Sequence, residues 1–216
     1  VPLSVPAFLV NNVCGSGLQA MMLGVQQLCL DKTALVIAGG ADSASRTPLL
    51  LSKEEPSQSD PLDSLVHDGL QCSVTHKRMG ELCEQTADRF QISREEQDQY
   101  AFESYQKAAE AREKGAFDKE VVPYKFSGKR SIDKDECVRK NVRLSQFHKL
   151  SSAFMKNGTL TAGNSSSPAD GAAAVLLGGK DFAGVGKIKP MARVAGMAAL
   201  AVDPEKVFEE TAQAVH

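Results

Sequence analysis

What this sequence lacks narrows its chemistry first. No stretch approaches eighteen consecutive apolar residues, so a membrane span is not expected. No basic-then-apolar leader ending in a cleavage site is visible. The net charge is only -2, which gives no field suited to nucleic acid or to an anionic membrane surface. Cys14, Cys29, Cys72, Cys83 and Cys137 are odd in number, scattered, and without CxxC spacing. That usage argues against a zinc site or a disulfide framework and suits a reducing compartment, cytoplasmic or mitochondrial. No internal repeat is present. The chain begins at Val1 without an initiator Met and stops at His216 inside a helical pattern, so both ends are expected to be cuts through a longer protein.

What remains is a globular α/β pattern. With 42% apolar residues in 216, the chain can bury a core as one large or two small domains. Residues 7–10 form a short apolar run expected as a strand. Leu18, Met21, Met22, Val25 and Leu28 then recur at helical spacing and predict an apolar helix face, with Cys29 on its inner side. Residues 34–38 are apolar up to Gly39 and Gly40 and predict a buried strand. Strand, helix and strand over about thirty residues make a βαβ unit, which predicts a parallel sheet.

Residues 45–75 turn polar, with Pro48, Pro56 and Pro61, and predict an irregular insertion. Helical signals resume at Met79. Ser93 followed by Glu96 fits a capping box, and the helix it opens is expected to end near Lys114, with Gly115 as its left-handed C-terminal residue. Residues 121–126 could form a strand, residues 129–149 are basic and irregular, and residues 172–177 return to a buried strand. Residues 189–201 are expected as another strand, and Asp203 with Pro204 caps a last helix.

Cys14 stands out by its place. It lies where the first strand is expected to end and the helix to begin, flanked by Gly15 and Gly17, which permit close approach of backbone or ligand. A helix N-terminus presents unpaired amides and partial positive charge, so it favours a thiolate over a thiol. Position alone leaves two readings equally open, a nucleophile or a small buried hydrophobe.

A resemblance decides between them. The run Val10-Asn11-Asn12-Val13-Cys14-Gly15-Ser16-Gly17-Leu18-Gln19-Ala20 resembles the acyl-enzyme signature of the thiolase family, with Cys14 at the nucleophile position. Ile37-Ala38-Gly39-Gly40-Ala41-Asp42-Ser43 is similar to the strand and turn that follow in that family. Ile92-Ser93-Arg94-Glu95-Glu96-Gln97-Asp98 resembles its loop-domain helix start. Thr161 to Ser166 with Asp170 to Ala173 resembles a further block.

The resemblance implies an α/β fold of thiolase type, layered α-β-α-β-α, with an incomplete N-terminal half and an inserted, mainly helical loop domain. It places residues 1–45 and 159–188 in the N-terminal domain, 46–158 in a loop domain that binds coenzyme A, and 189–216 at the start of the C-terminal domain. It implies acyl transfer through a Cys14 thioester between coenzyme A thioesters. Coenzyme A and acetyl-CoA would be substrates, with no permanently bound cofactor and no metal.

By position in the blocks, Met79 resembles the methionine lining the thioester pocket, Leu70 an apolar substrate-binding residue on the same loop, and Arg139 a coenzyme A nucleotide contact. Leu150 and Phe154 resemble pantetheine-pocket residues, and Ser166 the serine that hydrogen-bonds the pantetheine arm. The basic neighbours of Arg139 (Lys129, Arg130, Lys134, Lys140 and Arg143) would suit phosphates. A solvated basic loop is the plainer reading of that stretch, and a turn-forming serine that of Ser166. A homodimer or homotetramer is implied by the same likeness.

Some features depart from the family. Arg78 stands where many biosynthetic thiolases have a histidine, and His76 lies two places earlier. Residues 39–53 resemble the degradative, trifunctional-enzyme branch. The family's Asn-Glu-Ala-Phe motif, its Gly-His-Pro histidine and its second reactive cysteine have no counterpart in these residues, so the chain by itself is expected to turn over poorly. Competing readings are a condensing enzyme of ketoacyl-synthase type, a non-catalytic acyl-CoA binding module, and a redox-sensor cysteine.

Overall fold

The computed structural model describes residues 2–30, 35–51, 53, 60–125, 131–179, 182 and 189–215. The chain runs through α1 (Ser16–Leu30), β1 (Leu35–Ser43), β2 (Leu49–Leu50), β3 (Leu62–Asp63), α2 (Met79–Arg89) and α3 (Arg94–Glu113). It continues through β4 (Tyr124–Lys125), β5 (Ser131–Ile132), α4 (Leu144–Phe147), β6 (Asp170–Gly178) and α5 (Val207–Glu210). Two compact units result. One comprises Val1–Leu70, Ala169–Ala201 and Ala212–His216, and the other Gln71–Pro168 and Val202–Thr211.

In the first unit β1 and β6 pair antiparallel, in register from Leu35 opposite Gly178 to Ser43 opposite Asp170. The expected parallel βαβ pair is not formed among the described residues. Residues 7–10 have no ladder partner among the described residues, and β1 takes its partner from far along the chain. Gly39 makes the pairing possible, because a Cβ there would fall 2.4 Å from the Ala173 carbonyl oxygen. Helix α1 lies on one face of this pair. Its only buried residue is Gly24, where a Cβ would come 2.7 Å from Leu177 and 3.2 Å from Val36.

The segment Val13–Leu30 reaches a mean hydropathy of 1.2, enough by length and composition to cross a membrane. It touches the sheet at Gly24, and 6% of the segment is buried. Met21, Met22, Val25 and Leu28 are half-buried as the spacing predicts, whereas Leu18 is 70% exposed. Cys29 is exposed rather than on the inner face, since the contact with the sheet is centred on Gly24. Strand β1 is less buried than expected: Ala38 is covered, but Ile37 is 58% exposed. A two-stranded sheet with a helix on one face leaves its other face open. The insertion after β1 is irregular as predicted, with the β2–β3 ladder and a π-type turn at Leu65–Leu70.

In the second unit Leu82, Ala87, Phe147 and Leu160 form the apolar centre, with Thr161 and the carboxylates of Glu84 and Asp98 buried among them. The rings of Phe102 and Tyr105 meet Phe147 edge-on, with centroids 6.3 and 5.8 Å away, a favourable aromatic geometry. Helix α3 starts on a complete capping box. Ser93 accepts the Glu96 N–H at 3.2 Å, and Glu96 accepts the Ser93 N–H at 2.8 Å. It ends at Gly115, whose φ is +67°. The short β4–β5 ladder covers part of the strand expected at residues 121–126; Phe126 lies outside the described residues. Asp203 caps the last helical turn through the Glu205 N–H at 3.0 Å. Lys77 pairs with Glu205 at 2.6 Å, and Arg89 pairs with Glu209. Residues 189–201 carry no ladder among the described residues, so the strand expected there is not formed.

Candidate functional site

In the first unit Cys14 lies exposed in a turn two residues before the start of α1. The residue before it, Val13, has φ of 48°. This left-handed conformation is a genuine outlier for a β-branched side chain and persists only when its surroundings enforce it. Three side-chain hydrogen bonds do so. Asn11 Oδ1 accepts the Val13 N–H at 3.0 Å, Ser16 Oγ accepts the Asn12 N–H at 2.8 Å, and the Ser16 hydroxyl donates to the Val13 carbonyl at 2.6 Å. The Gly15 N–H closes the turn on the Asn12 carbonyl at 2.9 Å. A Cβ on Gly15 would meet the Asn12 side chain at 3.0 Å, whereas Gly17 faces open space. The thiol itself has no hydrogen-bond or ionic partner among the described residues.

The strand blocks at residues 37–43 and 170–173, separated by more than a hundred residues, lie side by side as β1 and β6. They are joined at their ends by Ser45, whose N–H donates to Asp170 Oδ1 at 2.9 Å and whose hydroxyl donates to Oδ2. Those two bonds hold the Asp170 carboxyl below the usual carboxylate range. Leu70 is also in this unit and is exposed.

The other sequence-predicted contacts belong to the second unit. Met79 opens α2, and its neighbour Gly80 lies against the ring of Phe154, where a Cβ would come within 2.3 Å. Met79 and Phe154 are thus brought to one end of α2. Leu150 and Phe147 close on Gly163, where a Cβ would meet them at 2.7 and 2.9 Å. Ser166 and Arg139 are exposed. Of the basic residues around Arg139, Lys140 pairs with Glu113 at 2.7 Å, while Lys129 and Arg130 lie outside the described residues. That pairing also holds the Glu113 carboxyl below its usual range.

His76 is exposed with φ of 57°, in a turn where its N–H donates to the Cys72 carbonyl at 2.8 Å. The Thr75 hydroxyl and N–H, followed by the Val74 N–H, draw the Cys72 thiol down. Burial, then the neighbouring Glu84 carboxylate, pushes the Cys83 thiol up. Among the described residues no cluster of three or more His, Cys, Asp or Glu could hold a metal ion.

Residues 1–181 match the family defined as thiolase, N-terminal domain. The chain belongs to the thiolase family. A Staphylococcus aureus (strain COL) protein named "Probable acetyl-CoA acyltransferase" is 39% identical over 212 aligned residues, which cover 94% of this chain and 54% of that protein. Among solved structures, Acat5 thiolase from Ascaris suum in complex with coenzyme A superposes with a TM-score of 0.91 at 35% identity. Human mitochondrial 3-ketoacyl-CoA thiolase does so at 0.91 and 34%, and the Bacillus anthracis acetyl-CoA acetyltransferase at 0.92 and 31%. Each comparison covers 99% of this chain and 56% of the other. The thiolase chain therefore spans about half the length of the relatives it matches, and its fold is theirs over that span.

Sequence reasoning placed Cys14 in this thiolase turn but missed Ser16 as the residue that bonds both sides of it. The legible signal was a hydroxyl at the first position of a helix, three residues after a residue whose backbone the turn must reverse. It also missed Glu84 and Asp98, whose importance comes from burial against distant segments.

Proposed function

We propose that the enzyme to which this chain belongs transfers an acyl group between coenzyme A thioesters through a thioester on Cys14. The observation that carries this reading is the exposed Cys14 thiol, held in an enforced turn at the N-terminus of α1 within a thiolase N-terminal domain. In the first half-reaction the Cys14 thiolate attacks the acyl carbonyl. A new sulfur–carbon bond forms, the bond from that carbonyl to the leaving group breaks, and the leaving group takes up the proton released from the thiol. In the second, the sulfur of coenzyme A or the α-carbon of an acyl-CoA attacks the Cys14 thioester, the bond from the acyl carbon to Cys14 breaks, and the proton lost by the incoming group returns to the Cys14 sulfur. Amides at the start of α1 suit the oxyanion that develops in both steps. The proton acceptor for the thiol is proposed to be the family's histidine, from sequence beyond these residues, so this chain alone turns over poorly.

Coenzyme A would be held by Leu70, Met79, Arg139, Leu150, Phe154 and Ser166. Residues 1–45 and 159–188 would be the N-terminal domain, 46–158 the loop domain and 189–216 the opening of the C-terminal domain. A role in fatty acid metabolism, including β-oxidation, fits the resemblance of residues 39–53 to the degradative branch. A homodimer or homotetramer is what the family likeness implies, and a cytoplasmic or mitochondrial place is proposed, one similar structure being named a mitochondrial thiolase.

Incubation with acetyl-CoA, acid quenching and peptide mass mapping test the reading. An acetyl group is expected on the Cys14 peptide, removed by added coenzyme A and absent from Cys14→Ala. Acetylation confined to another cysteine, or binding with no acylation, would show a binding module instead.

A further inference from the structure

The second unit holds a buried polar chain that acyl transfer at Cys14 does not use. Asp98 on α3 has no solvent exposure, yet it is a carboxylate. Burial of such a group is tolerated only when its oxygens are paired. Oδ2 accepts Arg94 Nε at 2.8 Å and Oδ1 accepts Asn164 Nδ2 at 3.0 Å. Each partner then reaches a different backbone segment. The Arg94 Nη2 donates to the carbonyls of Phe147 and Leu150, at 2.7 and 3.1 Å. Asn164 accepts the Thr161 N–H at 2.7 Å and donates to the Thr159 carbonyl at 3.0 Å. Glu84 on α2 fastens the same segment through the N–H groups of Thr159 and Leu160 at 2.8 and 2.9 Å.

We infer that Arg94 and Asp98 are positioning residues for coenzyme A: their ion pair, part-buried at Arg94 and fully buried at Asp98, sets the spacing of the two segments that carry Leu150 and Ser166. The inference rests on the proposed coenzyme A contacts. Its physical content is preorganisation. Two loops held before the ligand arrives lose less freedom on binding, and that difference appears as affinity. A single ion pair serves both loops because the guanidinium keeps donors for the Phe147 and Leu150 carbonyls while the second Asp98 oxygen still accepts Asn164. The Leu150 side chain and Gly163 also touch, so a shift of either segment moves the other. Phe154 is carried along between them, since the Ala153 N–H donates to the Leu160 carbonyl at 2.9 Å.

Two substitutions separate this role from general stabilisation. In Asp98→Asn one oxygen becomes an amide donor, so Arg94 and Asn164 can no longer both be accepted, and both segments loosen. In Arg94→Lys the ammonium still meets Asp98 but lacks the planar fork that reaches both carbonyls, so the segment around Leu150 loosens more than that around Thr161. Ala87→Gly weakens α2 at a buried site without removing any bond of the network, and is the control for stability alone.

The test measures coenzyme A affinity of the full chain by calorimetry, with amide hydrogen exchange at residues 147–151 and 159–164. Asp98→Asn is expected to weaken binding about tenfold, Arg94→Lys several-fold and Ala87→Gly less than about twofold. Exchange should quicken in both segments for the first and chiefly in 147–151 for the second. Wild-type affinity in folded Arg94→Lys, or loss in Ala87→Gly equal to that in Asp98→Asn, overturns the positioning role. If Asp98→Asn does not fold, Arg94→Lys decides alone. A wild-type chain that does not bind coenzyme A overturns the proposed contacts, and the inference falls with them.

Discussion

Ser16→Ala is expected to misplace Cys14 while leaving its thiol accessible. Val13 sits at φ of 48°, a conformation that costs a β-branched residue about 1–3 kcal/mol. The Ser16 hydroxyl makes two of the three side-chain hydrogen bonds that hold the turn. Each contributes about 0.5–1.5 kcal/mol net, so the pair is worth about 1–3 kcal/mol. The two magnitudes match, which is why this one substitution should let Val13 relax toward the extended region. The assay compares two reagents on Cys14. Iodoacetamide needs only an exposed thiol, whereas acetyl-CoA needs an oriented one. Ser16→Ala should slow acetylation about 10- to 100-fold, at 1.36 kcal/mol per tenfold, and alter alkylation less than about twofold. Ser16→Thr keeps the hydroxyl and should restore most of the rate. In a Val13→Asn background, where the left-handed conformation is cheaper, the loss from Ser16→Ala should shrink. Equal slowing of both reagents, or acetylation as fast as wild type, would refute the reasoning.

Gly80→Ala should place a methyl group into the ring of Phe154, destabilising the second unit by about 1–3 kcal/mol and weakening coenzyme A binding if Phe154 lines its pocket. Thermal melting and calorimetry check the two effects, and an unchanged melting temperature would show that the ring is not held there. Ser93→Ala should cost about 1 kcal/mol by removing the cap of α3, read as a lower denaturant midpoint. The same cap holds the Glu96 carboxyl below its usual range through the Ser93 N–H and hydroxyl. A carboxyl whose folded value is depressed contributes stability that is full above the unfolded value near 4.3 and is lost as pH falls through the folded value. The stability difference between wild type and Ser93→Ala should therefore narrow on acidification below that range, and a constant difference would count against the linkage.

The features legible in the residues themselves were those made by near neighbours. Ser93 and Glu96 cap each other across three positions, Gly115 supplies a left-handed residue that side chains resist, and Asp203 caps a turn two residues ahead. Such local geometry depends on residue type and spacing, so it can be read before folding. The Cys14 block belongs to the same class, as a short run whose turn and helix start lie within a few residues. Its decisive strain at Val13 did not, because a valine carries no signal for positive φ and the turn is enforced by hydroxyl and amide groups acting together.

Pairing between distant segments was decided by the tertiary structure alone. Residues 7–10 have strand composition but no ladder partner among the described residues, while β1 meets β6 antiparallel through Gly39 and is tied at its end by Ser45 and Asp170, 125 positions apart. A period-two pattern says which side chains share a face, and nothing about which strand lies beside it. Burial of Asp98 and Glu84 was equally hidden, since the α3 and α2 sequences read as polar helices there. What makes those carboxylates structural is the backbone of residues 147–164 arriving with donors placed for their oxygens. The sequence alone determined the family and singled out Cys14 as its candidate nucleophile; only the packing decided what holds the surrounding segments in place, because those contacts join groups no local pattern relates.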